Sequence, residues 1–170
     1  MRVVQSGFTL LELLVVIAIA AVLTGLAVPS FRASIQSAET RDAATAFYGA
    51  LTTARSEAIA HNDSINVCAR DLTSLNTPTC VTAAASSTAW KNGWIVYKGA
   101  TPTTNGPLLI HEPIADGLML GTAASPLVFD AAGRVTTAVN YDLCRSVPDE
   151  NGRRISVSRS GRVSLELRQC

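Results

Sequence analysis

Residues Phe8 to Val28 form an apolar run of 21 residues that carries a single carboxylate, Glu12, near its start. As a helix rising 1.5 Å per residue, the run spans about 30 Å, the thickness of a bilayer's hydrocarbon core. An ionised carboxylate there costs a few kcal/mol on insertion scales and ordinarily has a partner. Glu12 is therefore expected to be functional, and it points toward assembly rather than catalysis; the plainer reading is that it snorkels to the headgroups. A secretory signal has a shorter apolar core followed by an A-x-A-like site. Ala18-Ile19-Ala20 fits that loosely, but the length of the run and the Glu inside it do not.

The helical pattern continues. Pro29 marks a kink or a break. Beyond it Phe31, Ile35, Ala38, Phe47, Leu51, Ala54, Ala58 and Ile59 recur at helical spacing, with Arg32, Glu39, Arg41, Asp42, Arg55 and Glu57 on the other side. The first half of the helix is apolar all round, the second half is amphipathic, and Asn62-Asp63 ends it. After residue 63 the period falls to two. Candidate strands are Ser64–Ala69, Gly93–Lys98, Pro107–His111, Gly117–Leu120, Pro126–Phe129, Arg134–Val139, Arg153–Ser158 and Arg162–Arg168. Turn signals such as Asn92-Gly93, Asp116-Gly117, Ala132-Gly133 and Ser160-Gly161 separate them. Leu72 to Ala89 is rich in Thr, Ser and Ala and reads as a loop.

At 48% hydrophobic and 16% charged, the chain has enough apolar residues to build a core. Cys68, Cys80, Cys144 and Cys170 all follow the apolar run, an even count that suits two disulfides in an oxidising compartment. They allow three pairings. Cys68–Cys80 would close a short loop, and Cys144–Cys170 would tie down the chain end. No CxxC occurs and the two His, at 61 and 111, stand apart, so no metal site is expected. There is no G-x-S-x-G and no phosphate loop; neither an enzyme nor a cofactor is expected.

The run Gly7-Phe8-Thr9-Leu10-Leu11-Glu12 before an apolar helix resembles the leader and first helix of type IV pilins and type II secretion pseudopilins. The resemblance implies that residues 1–7 are a prepilin leader. A prepilin peptidase would cleave between Gly7 and Phe8 and methylate the new amine of Phe8, and Glu12 would neutralise that amine on a neighbouring subunit. Two charges buried in a helix bundle must pair or be heavily penalised. Ala54-Arg55-Ser56-Glu57-Ala58, Gly93-Trp94-Ile95-Val96-Tyr97, Phe129-Asp130-Ala131-Ala132-Gly133-Arg134 and the ending Arg154 to Val163 are similar to blocks of the H-type pseudopilins and the FimT/FimU minor pilins. Residue by residue, Trp94, Tyr97 and Phe129 read as core.

The resemblance implies an α+β, type IV pilin-like fold. Residues 8–62 would form the long helix, its part 8–28 transmembrane, packed on an antiparallel β-rich domain, 63–170. The expected protein is a minor pilin or pseudopilin, held by one pass in the inner membrane with a periplasmic domain. It would then be assembled with other pilins into, or at the tip of, a type IV pilus or a type II secretion pseudopilus, which share the same leader, helix and sheet.

The alternative is a FimT-like DNA-binding minor pilin acting in DNA uptake. From Cys144 to Cys170 six Arg face three acids, a net +3 against −2 for the rest. In the expected last hairpin, Ile155, Val157, Val163, Leu165 and Leu167 form a buried face. Arg154 lies opposite Glu166, which leaves Arg159, Arg162 and Arg168 available to phosphates. DNA-binding FimT-type members carry Gly-Arg-x-Arg; here the stretch is Gly161-Arg162-Val163-Ser164, with Ser at the second Arg position.

Overall fold

The computed structural model describes residues 9–73, 77–81, 89–121, 125–145 and 151–170, with only the backbone described for 25–30. Helix α1 runs Leu10–His61. It is followed by β1 Ile65–Asp71, β2 Thr79–Cys80, a 3₁₀ turn at Trp90–Asn92, β3 Trp94–Lys98, β4 Pro107–His111, β5 Met119–Gly121, β6 Leu127–Phe129, β7 Val139–Cys144, β8 Gly152–Val157 and β9 Val163–Arg168. The chain divides into two compact units, residues 1–38 and 39–170.

In the first unit, Thr9 caps the helix: its Oγ1 accepts the Glu12 N–H at 3.2 Å. The helix passes through Pro29 without interruption, so the break allowed by the sequence does not occur. Leu10 through Leu23 expose their large apolar side chains on every side, Leu10 by 77% and Leu23 by 61%. Among the described residues no helix is long and apolar enough to cross a membrane; Phe8 and the side chains of 25–28 lie outside them.

In the second unit both sheets are antiparallel. One runs β2-β1-β3-β4, with β6 also paired to β1; the other runs β5-β7-β8-β9. The helix buries Thr40, Ala44, Phe47, Ala50, Leu51, Ala54 and Ala58. Phe31, Ile35, Ala38 and Ile59, expected on the buried stripe, are exposed. Phe47 is the centre of the core. Its ring meets Trp94 of β3 edge-on at 4.8 Å, Tyr141 of β7 at 4.9 Å and Trp90 at 5.4 Å, which joins the helix to both sheets. Such edge-to-face pairs each add about 0.5–1.5 kcal/mol beyond burial.

Trp94, Tyr97 and Phe129 are buried, as their residue types imply. Tyr97, however, lies with Cys68 and Ile95 in a separate small cluster against Cys80. The cysteines pair as Cys68–Cys80 and Cys144–Cys170, with Cα separations of 5.6 and 6.2 Å. The first fastens β2 to β1, so the expected loop 72–89 contains a short strand; 74–76 and 82–88 lie outside the described residues.

One expected strand is displaced. Arg134–Val139 is not a strand, and Val139–Cys144 is. Asp130 explains the difference. Its Oδ1 accepts the N–H groups of Ala132 and Arg134 at 2.9 and 2.8 Å, which folds the segment into a tight turn. The N–H of Val135 then bonds Arg159 O at 3.2 Å instead of entering a ladder.

Candidate functional site

Three of the sequence blocks singled out above meet at one place. At the end of α1, Arg55 Nε donates to Gly133 O and Nη2 to Ser160 O, both at 3.2 Å. One guanidinium therefore holds the turn after β6 and the turn of the β8–β9 hairpin against the helix. The two turns also touch each other. A Cβ on Gly161 would overlap the Gly133 carbonyl oxygen, and one on Gly133 would come within 2.6 Å of Ile59 Cδ1. Both glycines have positive φ, +75° and +69°. Helical spacing puts Arg55 on the side opposite the apolar stripe, yet it is half-buried and fastens the domain. Glu57, from the same block, pairs with His61 one turn on at 3.2 Å.

α1 ends beside this junction. Asn62 takes the left-handed conformation (φ 49°), and the N–H of Asp63 returns to Ala58 O at 3.2 Å, a closing bond that caps the helix. Asp63 then reaches Lys98 at 3.1 Å. The Ser64 N–H, with Lys98 beside it, holds the Asp63 carboxyl below its ordinary value.

The hairpin has the expected register: Arg154 opposite Glu166, Ser156 opposite Ser164, Val157 opposite Val163. Its turn closes through Ser158 N–H to Arg162 O at 3.0 Å and Gly161 N–H to Ser158 O at 2.8 Å. The charges are arranged differently from expectation. The partner of Arg154 is Asp142 on β7, which accepts Nε at 2.7 Å and Nη2 at 2.9 Å. Arg168, expected to be available, also reaches Asp142, at 3.3 Å. The Arg154 hydrogen bond in first place, and the charges of Arg154 and Arg168 after it, hold the Asp142 carboxyl below its ordinary value. Asp142 was missed because its strand was missed; the alternation Val139, Tyr141, Leu143 was the signal that pointed to it. Leu167, expected on the buried face, is 76% exposed.

Arg159 and Arg162 sit on either side of the hairpin turn, each in its own cleft. Arg159 lines one of about 370 Å³ with Val128, Asp130, Arg134, Val135 and Thr136. Arg162 lines one of about 410 Å³ between the helix and the start of β9. Among the described residues neither has an ion pair. The four arginines of the DNA reading therefore split, two sharing a carboxylate on a sheet face and two at the turn. Glu12 is exposed near the start of the helix; Gly7 and Phe8 lie outside the described residues. Among the described residues no cluster of three or more His, Cys, Asp or Glu is placed to hold a metal.

Residues 2–28 match the prokaryotic N-terminal methylation motif. Residues 43–161, most of the chain and all of the Arg55 junction, match the family of type II transport protein GspH. The chain belongs to the GspH family. Crystal structures of the type IV minor pilin FimU of Pseudomonas aeruginosa (strain PAO1) share the fold of this GspH-family chain. One, at 24% identity, covers 79% of this chain and 95% of that one with a TM-score of 0.59. A second, in another space group, is 23% identical with a TM-score of 0.57, covering 76% and 96%. The minor pseudopilin EpsH from the type 2 secretion system of Vibrio cholerae is 16% identical, covering 76% and 97% with a TM-score of 0.50. No curated protein sequence matches the chain. Within the family of type II transport protein GspH, the chain thus has the fold of a minor pilin and of a minor pseudopilin.

Proposed function

We propose that this GspH-family chain is stored in the inner membrane by the apolar helix 8–28, with its β-rich domain in the periplasm. It is then transferred into a pilus or pseudopilus by packing that helix among those of neighbouring subunits. The observation that carries the reading is the helix surface from Leu10 to Leu23, where large apolar side chains are 50–77% exposed all round. A helix apolar on every face belongs in lipid or inside a bundle of other helices. Cleavage after Gly7 by a prepilin peptidase would free the amine of Phe8, which the same peptidase would methylate, four positions before Glu12 in the sequence. Within an assembled bundle that amine and the Glu12 carboxylate of the next subunit are the two charges that must be paired. Partners are thus a prepilin peptidase before assembly and other pilin-fold subunits after it.

The test uses the native protein in its own host. Its mass spectrum is expected to show a chain beginning at N-methylated Phe8, and an intact Met1 would overturn the leader reading. Glu12→Ala is expected to reduce incorporation into pili or the secretion apparatus at least tenfold, with the protein still present in the membrane fraction. Unchanged incorporation would remove Glu12 from the assembly step.

A further inference from the structure

The clefts on the two sides of the hairpin turn differ in charge balance. In the Arg159 cleft, Asp130 stands beside Arg134 at 3.1 Å. The other cleft, of about 410 Å³, has Tyr48, Thr52, Ile59 and Val163 as walls and Arg55 and Arg162 as its cations. Arg55 donates to two neutral carbonyls, Gly133 O and Ser160 O, and among the described residues neither Arg55 nor Arg162 is paired with a carboxylate. Ile59 is 51% exposed at the rim. β9, which forms one side, is the last strand of its sheet and has no strand beyond it among the described residues.

We propose that this cleft docks a different pilin-fold subunit through a segment carrying an Asp or Glu beside an apolar residue. The inference rests on the assembly reading above. Charge complementarity selects the occupant. Two guanidiniums without an anion suit a carboxylate, which Arg binds through paired, charge-assisted N–H bonds. The apolar walls suit a neighbouring apolar side chain, and partly desolvated walls make the ion pair stronger than on open surface. A nucleic-acid backbone suits it less, because such binding draws on many phosphate contacts and the cleft offers two cations.

The experiment uses the full-length chain in its host, with Tyr48 replaced by photoreactive p-benzoylphenylalanine. Irradiation is expected to give an adduct with another pilin-fold subunit, attached within a few residues of an Asp or Glu. Arg162→Glu is expected to lower the adduct at least tenfold and Arg162→Lys to keep more than half of it. An Asp or Glu→Lys change in the attached segment should restore the adduct to the Arg162→Glu chain. Arg162 is exposed, so an unchanged Tm of the Arg162→Glu protein shows that the fold is kept. The proposal is overturned by no adduct, by an adduct indifferent to Arg162→Glu, or by attachment to lipid, nucleic acid or a second copy. If Glu12→Ala blocks incorporation while Arg162→Glu leaves the adduct intact, the assembly reading stands and the docking site alone falls.

Discussion

Gly161 shows how much can depend on one missing side chain. Its φ of +75° is left-handed, and the space a Cβ needs is filled by the Gly133 carbonyl. Gly106 has nearly the same φ, +72°, with nothing near the position of a Cβ. Both replacements by Ala carry the backbone penalty, about 1 kcal/mol. Gly161→Ala must in addition push two turns apart, so a loss of about 2–4 kcal/mol is expected in chemical denaturation. Equal losses at the two sites would mean that the turns do not press on each other. Arg55 acts at the same place. Its fork spans two carbonyls in different turns, which an ammonium group does not reproduce, so Arg55→Lys is expected to cost nearly as much as Arg55→Ala, about 2 kcal/mol. Asp142 sets a pH dependence. Its folded carboxyl titrates below its ordinary 3.8, so its contribution to stability is complete above that pH and is lost as pH falls through the folded value. Asp142→Asn should therefore flatten the acid limb of the stability curve below about pH 4; superimposable acid limbs would show that the Arg154 and Arg168 pairs contribute nothing.

At the level of elements, the helix is held by its aromatic contact more than by its stripe. Phe47 touches a strand from each sheet, and the residues on either side of it on the buried face are mostly alanine. Phe47→Ala is expected to cost about 3–5 kcal/mol, because three rings lose one partner together. The measurement is a denaturant midpoint at unchanged slope. The hairpin shows which part of an element is readable locally. Its register follows from alternation and from a Gly at the left-handed turn position, and both are sequence properties. Glu166 lies across from Arg154 and acts on its charge, but the direct partner, Asp142, is on β7, 12 residues before Arg154, and was not readable from the hairpin alone. Likewise Leu167 alternates with buried residues but lies at the far end of an edge strand, where nothing covers it in the described chain.

For the molecule as a whole, the two disulfides act on different loops. Cys68–Cys80 spans 12 residues and Cys144–Cys170 spans 26, the latter joining β7 to the chain end across β8. Gly152 of β8 lies directly beneath: a Cβ there would come within 2.5 Å of Cys170 Sγ. Loop-closure entropy gives about 3 kcal/mol for the shorter and about 3.5 kcal/mol for the longer. Replacing Cys144 and Cys170 together by Ser is thus expected to lower Tm by more than the Cys68/Cys80 double replacement, and the reverse order would mean that the β2 strap matters more to the fold than the tethered terminus.

By itself the sequence determined what depends on near neighbours. The apolar run with its Glu, the helix end at Asn62, most strands and the hairpin register all follow from periodicity and turn chemistry within a few residues. Gly7-Phe8-Thr9-Leu10-Leu11-Glu12 also carried the resemblance to pilins and pseudopilins, and the blocks from Ala54 to Val163 narrowed it to the H-type group. Tertiary structure decided what depends on distant partners: which cysteines pair, which of four arginines meet Asp142, and that Arg55, Gly133 and Gly161 are one junction. Those contacts join residues 12 to 105 positions apart, and no local pattern encodes a separation that only the packing of two sheets on one helix brings to hydrogen-bond range.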